Sequence, residues 1–271
     1  MNLTETNYYD QESNRVYMSV SQFKSFMKCE AAAMAELNGE YAPTRGRALL
    51  LGSYVDEALT GTADSFASFC EEYHKDLFKK NGEPYADVQQ ADEAIRRVKA
   101  QPLMMKYLSS GEHQTIMTGE IAGVPFKGKI DSYKPGKFIA DLKYLRSLRS
   151  PNLFENIMDY WKYTTQMAAY QELVYQNTGE RLPCFILAVT KETPARVTVC
   201  EIDQFTLENE LEDVRRLAPR FQKIKNGELA PKRCEAYECS FCAQTKVLTE
   251  PVPYELITMS AEQIRALRGG I

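Results

Sequence analysis

Histidine is almost missing from this chain. Only His74 and His113 occur in 271 residues. Neither has a nucleophile or acid at a useful spacing, which counts against a Ser-His-Asp or Cys-His hydrolase. The phosphate-cradling patterns G-x-x-x-x-G-K-[ST] and G-x-G-x-x-G are also missing, so nucleotide-driven motor activity is not expected. No apolar run approaches the roughly 20 residues that span a bilayer. The opening stretch MNLTETNYYDQESN is polar and holds no apolar signal segment. There is no excess of positive charge either. Lys and Arg number 33 against 37 Asp and Glu, a net charge of −4. Any polyanion would have to meet a local basic patch.

What is present supports a sizeable core. Hydrophobic residues make up 44% of the chain, enough for one large domain or two small ones. No repeat or long linker is visible, so one compact unit is expected over residues 16–250. A loose tail is expected over 1–15, with an extension over 251–271. Seven cysteines without a secretion signal fit a reducing cytoplasm, where thiols stay free or bind metal.

The pattern reads as helices, then strands, then alternation. One helix is expected from Ser19 or Ser21 to about Leu37, and another from about Arg47 to Leu59. Two or three more fill 64–109, where ADVQQADEAIRRVKA is amphipathic. Strands are expected at about 114–121, 126–133 and 137–145. A helical block over 152–177 follows, then strands at 184–190 and 196–202. A long helix spans 206 to about 225, interrupted by Pro219. A short helix is expected from Ser260. The fold class is α/β, with a mixed central sheet flanked by helices and a helical N-terminal region.

The most informative segment is KGKIDSYKPGKFIADLKYL. Pro135-Gly136 marks a turn between two strands. Asp141 and Lys143 are two apart and share a strand face. Asp131 stands opposite Asp141 only if the pairing is centred on Gly136. A two-residue Pro-Gly loop would send Asp141 to the other face. A three-residue loop, Pro135-Gly136-Lys137, or a bulge is therefore required. Two acids and a lysine on one face suit a divalent metal and an oriented water, the equipment for phosphodiester hydrolysis. Glu120 would add a third carboxylate if its strand lies beside Asp131. Gln166 and Tyr170, four apart on a helix, share a face, with Tyr163 near it. Arg146, Arg149 and Lys162 cluster after the site as a candidate phosphate track.

Cys234, Cys239 and Cys242 lie in KRCEAYECSFCAQTK, a polar stretch with no core pattern. Unpacked cysteines point to a shared metal, and Cys29 is the natural fourth ligand. Four thiolates suit tetrahedral zinc or an iron–sulfur cluster. Cys70, Cys184 and Cys200 read as core thiols.

Together these residues resemble the PD-(D/E)xK nuclease superfamily, and within it the RecB/RecE-like, exodeoxyribonuclease VIII-like exonucleases of phages. Asp131, Asp141, Lys143, Gln166 and Tyr170 fall in that family's order. Where the family commonly has G-S-x-x-H, this chain has Gly52-Ser53-Tyr54-Val55-Asp56, with aspartate in place of the histidine. Tyr144 stands where D-x-K is often followed by threonine. The resemblance covers roughly Ser19 to Lys246. It implies a restriction-endonuclease-like core and Mg²⁺ or Mn²⁺ held by Asp131, Asp141, Asp56, the Leu142 carbonyl and Glu120. It also implies linear duplex DNA as substrate, a single-strand annealing protein as partner and a homo-oligomer. The cysteine outline is similar to relatives carrying a four-iron cluster, zinc being the alternative. The rivals are a CRISPR-adaptation-type or structure-specific nuclease, and a catalytically silent DNA-binding module.

Overall fold

The structure is a computed structural model that describes residues 2–43, 46–151, 155–234, 239–247, 251 and 254. It divides into two compact units: 1–20 with 45–219, and 21–44 with 220–271. The helix expected at Ser260 lies outside the described residues, as does the 251–271 extension apart from Pro251 and Tyr254.

The first unit opens with α1 (Gln11–Val16) and β1 (Met18–Ser19). Four helices lead on through α4 (Arg47–Thr60), α5 (Ala63–Glu72), α6 (His74–Leu77) and α7 (Ala86–Lys99) to α8 (Pro102–Ser109), with α2 (Val20–Lys28) and α3 (Glu30–Asn38) preceding them in the chain. Then come β2 (Glu112–Ile121), β3 (Val124–Lys134), β4 (Phe138–Leu145), α9 (Ile157–Tyr160), α10 (Tyr163–Thr178), β5 (Cys184–Thr190), β6 (Val197–Ile202) and α11 (Gln204–Lys225). The expected α/β class and mixed sheet are observed. Among the described residues no helix is long and apolar enough to cross a membrane.

The sheet explains where a cleft can form. β2 pairs antiparallel with β3 along nearly its whole length. On the opposite edge β3 is shared. β1 runs parallel to it at Phe126 and Lys127, and β4 pairs antiparallel only at Ser132, Tyr133 and Lys134. Between these contacts, residues 128–131 of β3 have no strand partner on that edge. β4 continues instead as the parallel neighbour of β5 from Ile139 to Leu145, and β6 closes the far edge antiparallel to β5.

Alternation along β4 assigns its two faces. Phe138, Ala140 and Leu142 are buried among Leu51, Tyr54 and Val55 of α4 and the apolar faces of α7 and α8. Ile139, Asp141 and Lys143 therefore face the other way, towards α10. That helix is buried from Thr164 to Val174 save Gln166. It lies close on β3 because Gly128 offers no side chain. A Cβ there would stand 3.0 Å from Leu173 and 3.1 Å from the Tyr170 ring.

Two sequence expectations are corrected. Residues 1–15 do not form a loose tail in the described part. Tyr8 and Ser13 are buried, and the buried Lys127 ammonium donates to the Tyr8 carbonyl, to Ser13 Oγ at 2.9 Å and to Asn14 Oδ1 at 2.8 Å. A buried ammonium needs such acceptors, so the polar N-terminal residues are satisfying Lys127 rather than water. The helix expected from Ser19 to Leu37 breaks at Cys29, whose extended backbone (φ −164°, ψ 109°) caps α3 through its sulfur.

The second unit holds residues 21–28 of α2, all of α3, the end of α11 and α12 (Ser240–Gln244). Phe23 and Phe26 pack on Phe221 at 5.3 Å. Arg220 grips Glu30 with two hydrogen bonds of 2.7 and 2.8 Å. Glu30 also accepts from the Lys232 amide at 2.8 Å.

Replacing Lys127 with Met should release the N-terminal segment, because three acceptors lose their donor. The expected loss is about 1–3 kcal/mol. Hydrogen exchange should show faster exchange confined to residues 2–16 and their contacts. Unchanged protection there would remove the assigned role of Lys127.

Candidate active site

The site is built where β4 leaves β3. The register Ser132↔Ala140, Tyr133↔Ile139 and Lys134↔Phe138 is centred on Gly136. This is the odd-loop arrangement that the metal reading required. Lys134 and Lys137 close the loop, with the Lys137 amide donating to the Lys134 carbonyl at 3.0 Å. Gly136 takes φ 67°, a left-handed conformation that glycine adopts without a Cβ penalty. Extending the same register puts Asp131 opposite Asp141. The strands part there, and the Leu142 amide donates to Asp131 Oδ2 at 2.9 Å. A side chain thus takes the place of the next rung of the ladder.

Asp141 is 1% exposed. Gln166 Nε2 donates to its Oδ1 at 2.8 Å and also reaches the Tyr170 hydroxyl at 3.2 Å. Tyr170 donates onward to the Lys129 carbonyl at 3.0 Å. Thus α10 fixes Asp141 and β3 together. The Lys143 ammonium lies in ion-pair contact with Asp141 Oδ2. That oxygen nevertheless has no hydrogen bond of acceptable geometry, so the contact is electrostatic and one lone pair stays uncommitted. The Tyr163 ring centroid is 5.2 Å from the same ammonium, a cation–π contact.

Asp56 joins from α4. Its Oδ2 accepts from Gln114 Nε2 at 3.0 Å. Gln114 went unnoticed in the sequence reading. The β2–β3 register places it opposite Asp131, where it breaks the ladder with φ 51°. Nothing in its immediate sequence marks that break. His113, beside it, meets the Asp131 carbonyl through Nδ1 at 3.1 Å.

The electrostatics follow from burying three acids with one lysine. Asp131 is pushed well above the usual carboxylate range by burial, then by Asp141 and Asp56. Asp56 is pushed up to about 6 by burial and by Asp141, with Lys143 opposing. Burial works to lower Lys143, but Asp141 and Asp131 outweigh it and hold the ammonium charged. Tyr170 is raised well above the phenol range, by burial first. Three crowded acids against one ammonium leave a deficit of positive charge. A hard divalent cation on oxygen donors would relieve it, and the uncommitted Asp141 oxygen is a donor available for it.

Two predicted sets are not brought to this centre. Glu120 is exposed and pairs with Pro125, at the far end of the β2–β3 ladder. Six residues separate it from Gln114, roughly 20 Å of strand. The strand does lie beside Asp131, but it presents Gln114 there. Arg149 lines an open cleft of about 780 Å³ together with Glu155, Asp159, Glu201 and Asp203, so acids surround it. Lys162 is 3.5 Å from Glu155. Arg146 is exposed just past the end of β4. These cations do not make a uniform basic track.

In the second unit, the sulfurs of Cys29, Cys234, Cys239 and Cys242 all lie within 4.8 Å of one another. Cys29 and Cys242 are 3.5 Å apart, Cys234 and Cys239 3.6 Å. The predicted foursome is assembled. Among the described residues it is the grouping of metal-type donors with this mutual proximity. Cys184 is buried among core residues as expected, while Cys70 and Cys200 are partly exposed.

Comparison with known proteins agrees with this geometry. Residues 19–245 match the family model described as a PDDEXK-like domain of unknown function, DUF3799. A crystal structure of a "putative exonuclease" from Eubacterium rectale superposes with TM-score 0.87 and 39% identity, over 95% of this chain and 98% of that one. The structure of a protein named SSO0001 gives TM-score 0.32 and 12% identity over 80% of this chain and 94% of that one, too distant to carry weight. No curated protein matches. The chain belongs to the PDDEXK-like family.

Because Asp56 and Asp131 bind protons more tightly when folded than near pH 4 in an unfolded chain, the metal-free protein should lose stability as pH rises from about 4 through 6 and beyond. Asp56→Asn should then stabilise it at pH 7.5 by on the order of 1 kcal/mol, seen as a higher melting temperature, while weakening Mn²⁺ binding in calorimetry. A variant that melts lower and binds Mn²⁺ as before would contradict the proposed electrostatics.

Proposed function

We propose that this member of the PDDEXK-like family is a metal-dependent exodeoxyribonuclease that hydrolyses phosphodiester bonds from the ends of linear duplex DNA. The observation that supports it most is the meeting of Asp131, Asp141, Lys143 and Gln166 at the point where β4 leaves β3. Asp131, Asp141 and Asp56, with the Leu142 carbonyl, would hold Mg²⁺ or Mn²⁺. When bound, the ion acidifies a water and stabilises negative charge on the phosphate.

The protein's own residues divide the remaining work. Gln166 occupies Oδ1 of Asp141 and so reserves Oδ2. Lys143 keeps its proton between two acids, so it acts as a fixed charge and donor to the attacking water or the scissile phosphate, and not as a general base. Tyr170 likewise stays a phenol and is a support for β3. Arg146 would meet a phosphate beyond the strand end, with Lys162 and Arg149 weaker because acids already face them. Single strands left by such an enzyme would suit a partner annealing protein of the kind that acts in phage recombination, and a homo-oligomer would keep the enzyme on its substrate.

The cysteine site reads best as a single tetrahedral ion. Four sulfurs at about 2.3 Å from zinc stand about 3.8 Å apart, close to the 3.5 and 3.6 Å seen. A four-iron cubane carries one thiolate on each corner iron and needs a wider frame. Its role is structural, joining the start of α3 to the segment around α12. Metal analysis of an anaerobic preparation should find one zinc per chain and no colour; a brown protein with four irons would reverse this assignment.

End-labelled linear duplex DNA incubated with Mn²⁺ should be degraded, and an otherwise identical circle should not. Asp141→Ala and Lys143→Ala should each lower the rate by at least about 10³-fold with the fold kept, Lys143→Ala melting lower because it removes the cation facing the acids. Full activity in either variant sinks the catalytic assignment, and cutting of the circle points to an endonuclease.

A further inference from the structure

The chain contains one tryptophan, Trp161, and it is 49% exposed. Its neighbour Tyr160 is 37% exposed. The two rings pack edge to face, with centroids 5.0 Å apart at 86°. An indole half in water presents apolar ring surface to solvent.

The display is built in by the backbone. Asn156 Oδ1 caps α9 by accepting from the Met158 and Asp159 amides at 2.8 and 3.0 Å. The Trp161 amide donates to the Ile157 carbonyl at 3.3 Å, and the Lys162 amide to the Asp159 carbonyl at 3.0 Å. Lys162 then adopts φ 54°, a left-handed conformation uncommon for a side chain of this kind. It separates α9 from α10 and leaves the aromatic pair at the corner between them.

That corner lies two residues before a ring at the reacting centre. Tyr163, two residues on, has its ring over the Lys143 ammonium. Consecutive Cα atoms are about 3.8 Å apart, so the Trp161 backbone is within about 8 Å of that of Tyr163. This is the span of one or two nucleotides along a strand, at roughly 3.4 Å of axis each when stacked. The surrounding polar groups select which part of a nucleotide fits. Glu155 and Asp159 flank the corner, and Asp159 is held by Asn156 and by Thr164. Carboxylates repel phosphate but tolerate the face of a base.

We propose that Trp161, braced by Tyr160, is a base-stacking platform at the rim of the carboxylate site that holds a terminal nucleobase of the DNA strand while its phosphate is presented to Asp131 and Asp141. This rests on the nuclease reading. It supplies what an exonuclease needs, a grip on the strand end that does not depend on sequence, because every base has a π-face. Trp161 is here a positioning residue and takes no part in bond breaking.

The single tryptophan makes the test direct. With Ca²⁺ in place of Mg²⁺, a single-stranded thymidine oligonucleotide should quench the intrinsic fluorescence, and an abasic sugar-phosphate of equal length should quench it far less. In the Mn²⁺ reaction on linear duplex DNA, Trp161→Ala should raise KM roughly tenfold with kcat changed little, and Trp161→Phe should restore most of the loss. If the wild-type chain degrades DNA but shows no base-dependent quenching, and Trp161→Ala keeps its KM, the platform falls while the nuclease reading stands. If quenching is base-dependent but no DNA is degraded, the platform stands and the nuclease reading falls.

Discussion

A single hydrogen bond, from the Leu142 amide to the Asp131 carboxylate, stands where a rung of the sheet would otherwise be. β4 parts from β3 beyond Ala140 while it stays paired with β5 through Leu145. Sheets twist, so a strand that leaves one neighbour while keeping another opens a wedge. An open wedge exposes backbone donors that must be satisfied. Asp131 satisfies one of them and is thereby held at the mouth of the wedge, opposite Asp141. The catalytic geometry and the repair of the sheet are the same contact.

The cost of that arrangement is electrostatic. Asp131, Asp141 and Asp56 are crowded together and offset by Lys143 alone. Such a cluster is unfavourable without a further cation. It persists because rigid elements over-determine it: α10 lies on Gly128 with no side chain between, and its Gln166 and Tyr170 tie Asp141 to the β3 backbone. The strain of the site is carried by the close seating of one buried helix on the sheet.

Much of this was readable before any coordinates. Requiring Asp131 and Asp141 on one face called for a three-residue loop or a bulge, and the structure has the loop. The α10 pair was legible because residues four apart on a helix face one way. The strands and the long helix were also placed within a few residues. What was hidden depended on contacts between distant segments. Polar residues 2–16 look like a tail until Lys127, 119 residues from Tyr8, is seen to need acceptors. Cys29 was legible as a fourth ligand, but the helix break at that residue was not. Gln114 could not be preferred over Glu120, because the register between β2 and β3 sets which side chain meets Asp131. Sequence periodicity reports faces; it does not report which partner those faces meet.

On the proposed reading Asp56 stands where the nucleases this chain resembles commonly have a histidine, and that has a chemical consequence. A histidine donor would make the metal set mixed and favour softer divalent ions. With aspartate every donor is oxygen, a set suited to Mg²⁺ or Mn²⁺. The exchange also adds a negative charge to an already crowded centre, and burial makes that charge harder to keep. Gln114 bears on this locally: its amide donates to Asp56 from the point where β2 leaves its ladder with β3, and Thr60 Oγ1 donates to the same carboxylate at 3.3 Å. Such donors favour the ionised carboxylate, which is the form able to bind metal. Gln114 and Thr60 would together support an aspartate where an uncharged imidazole would need no such help.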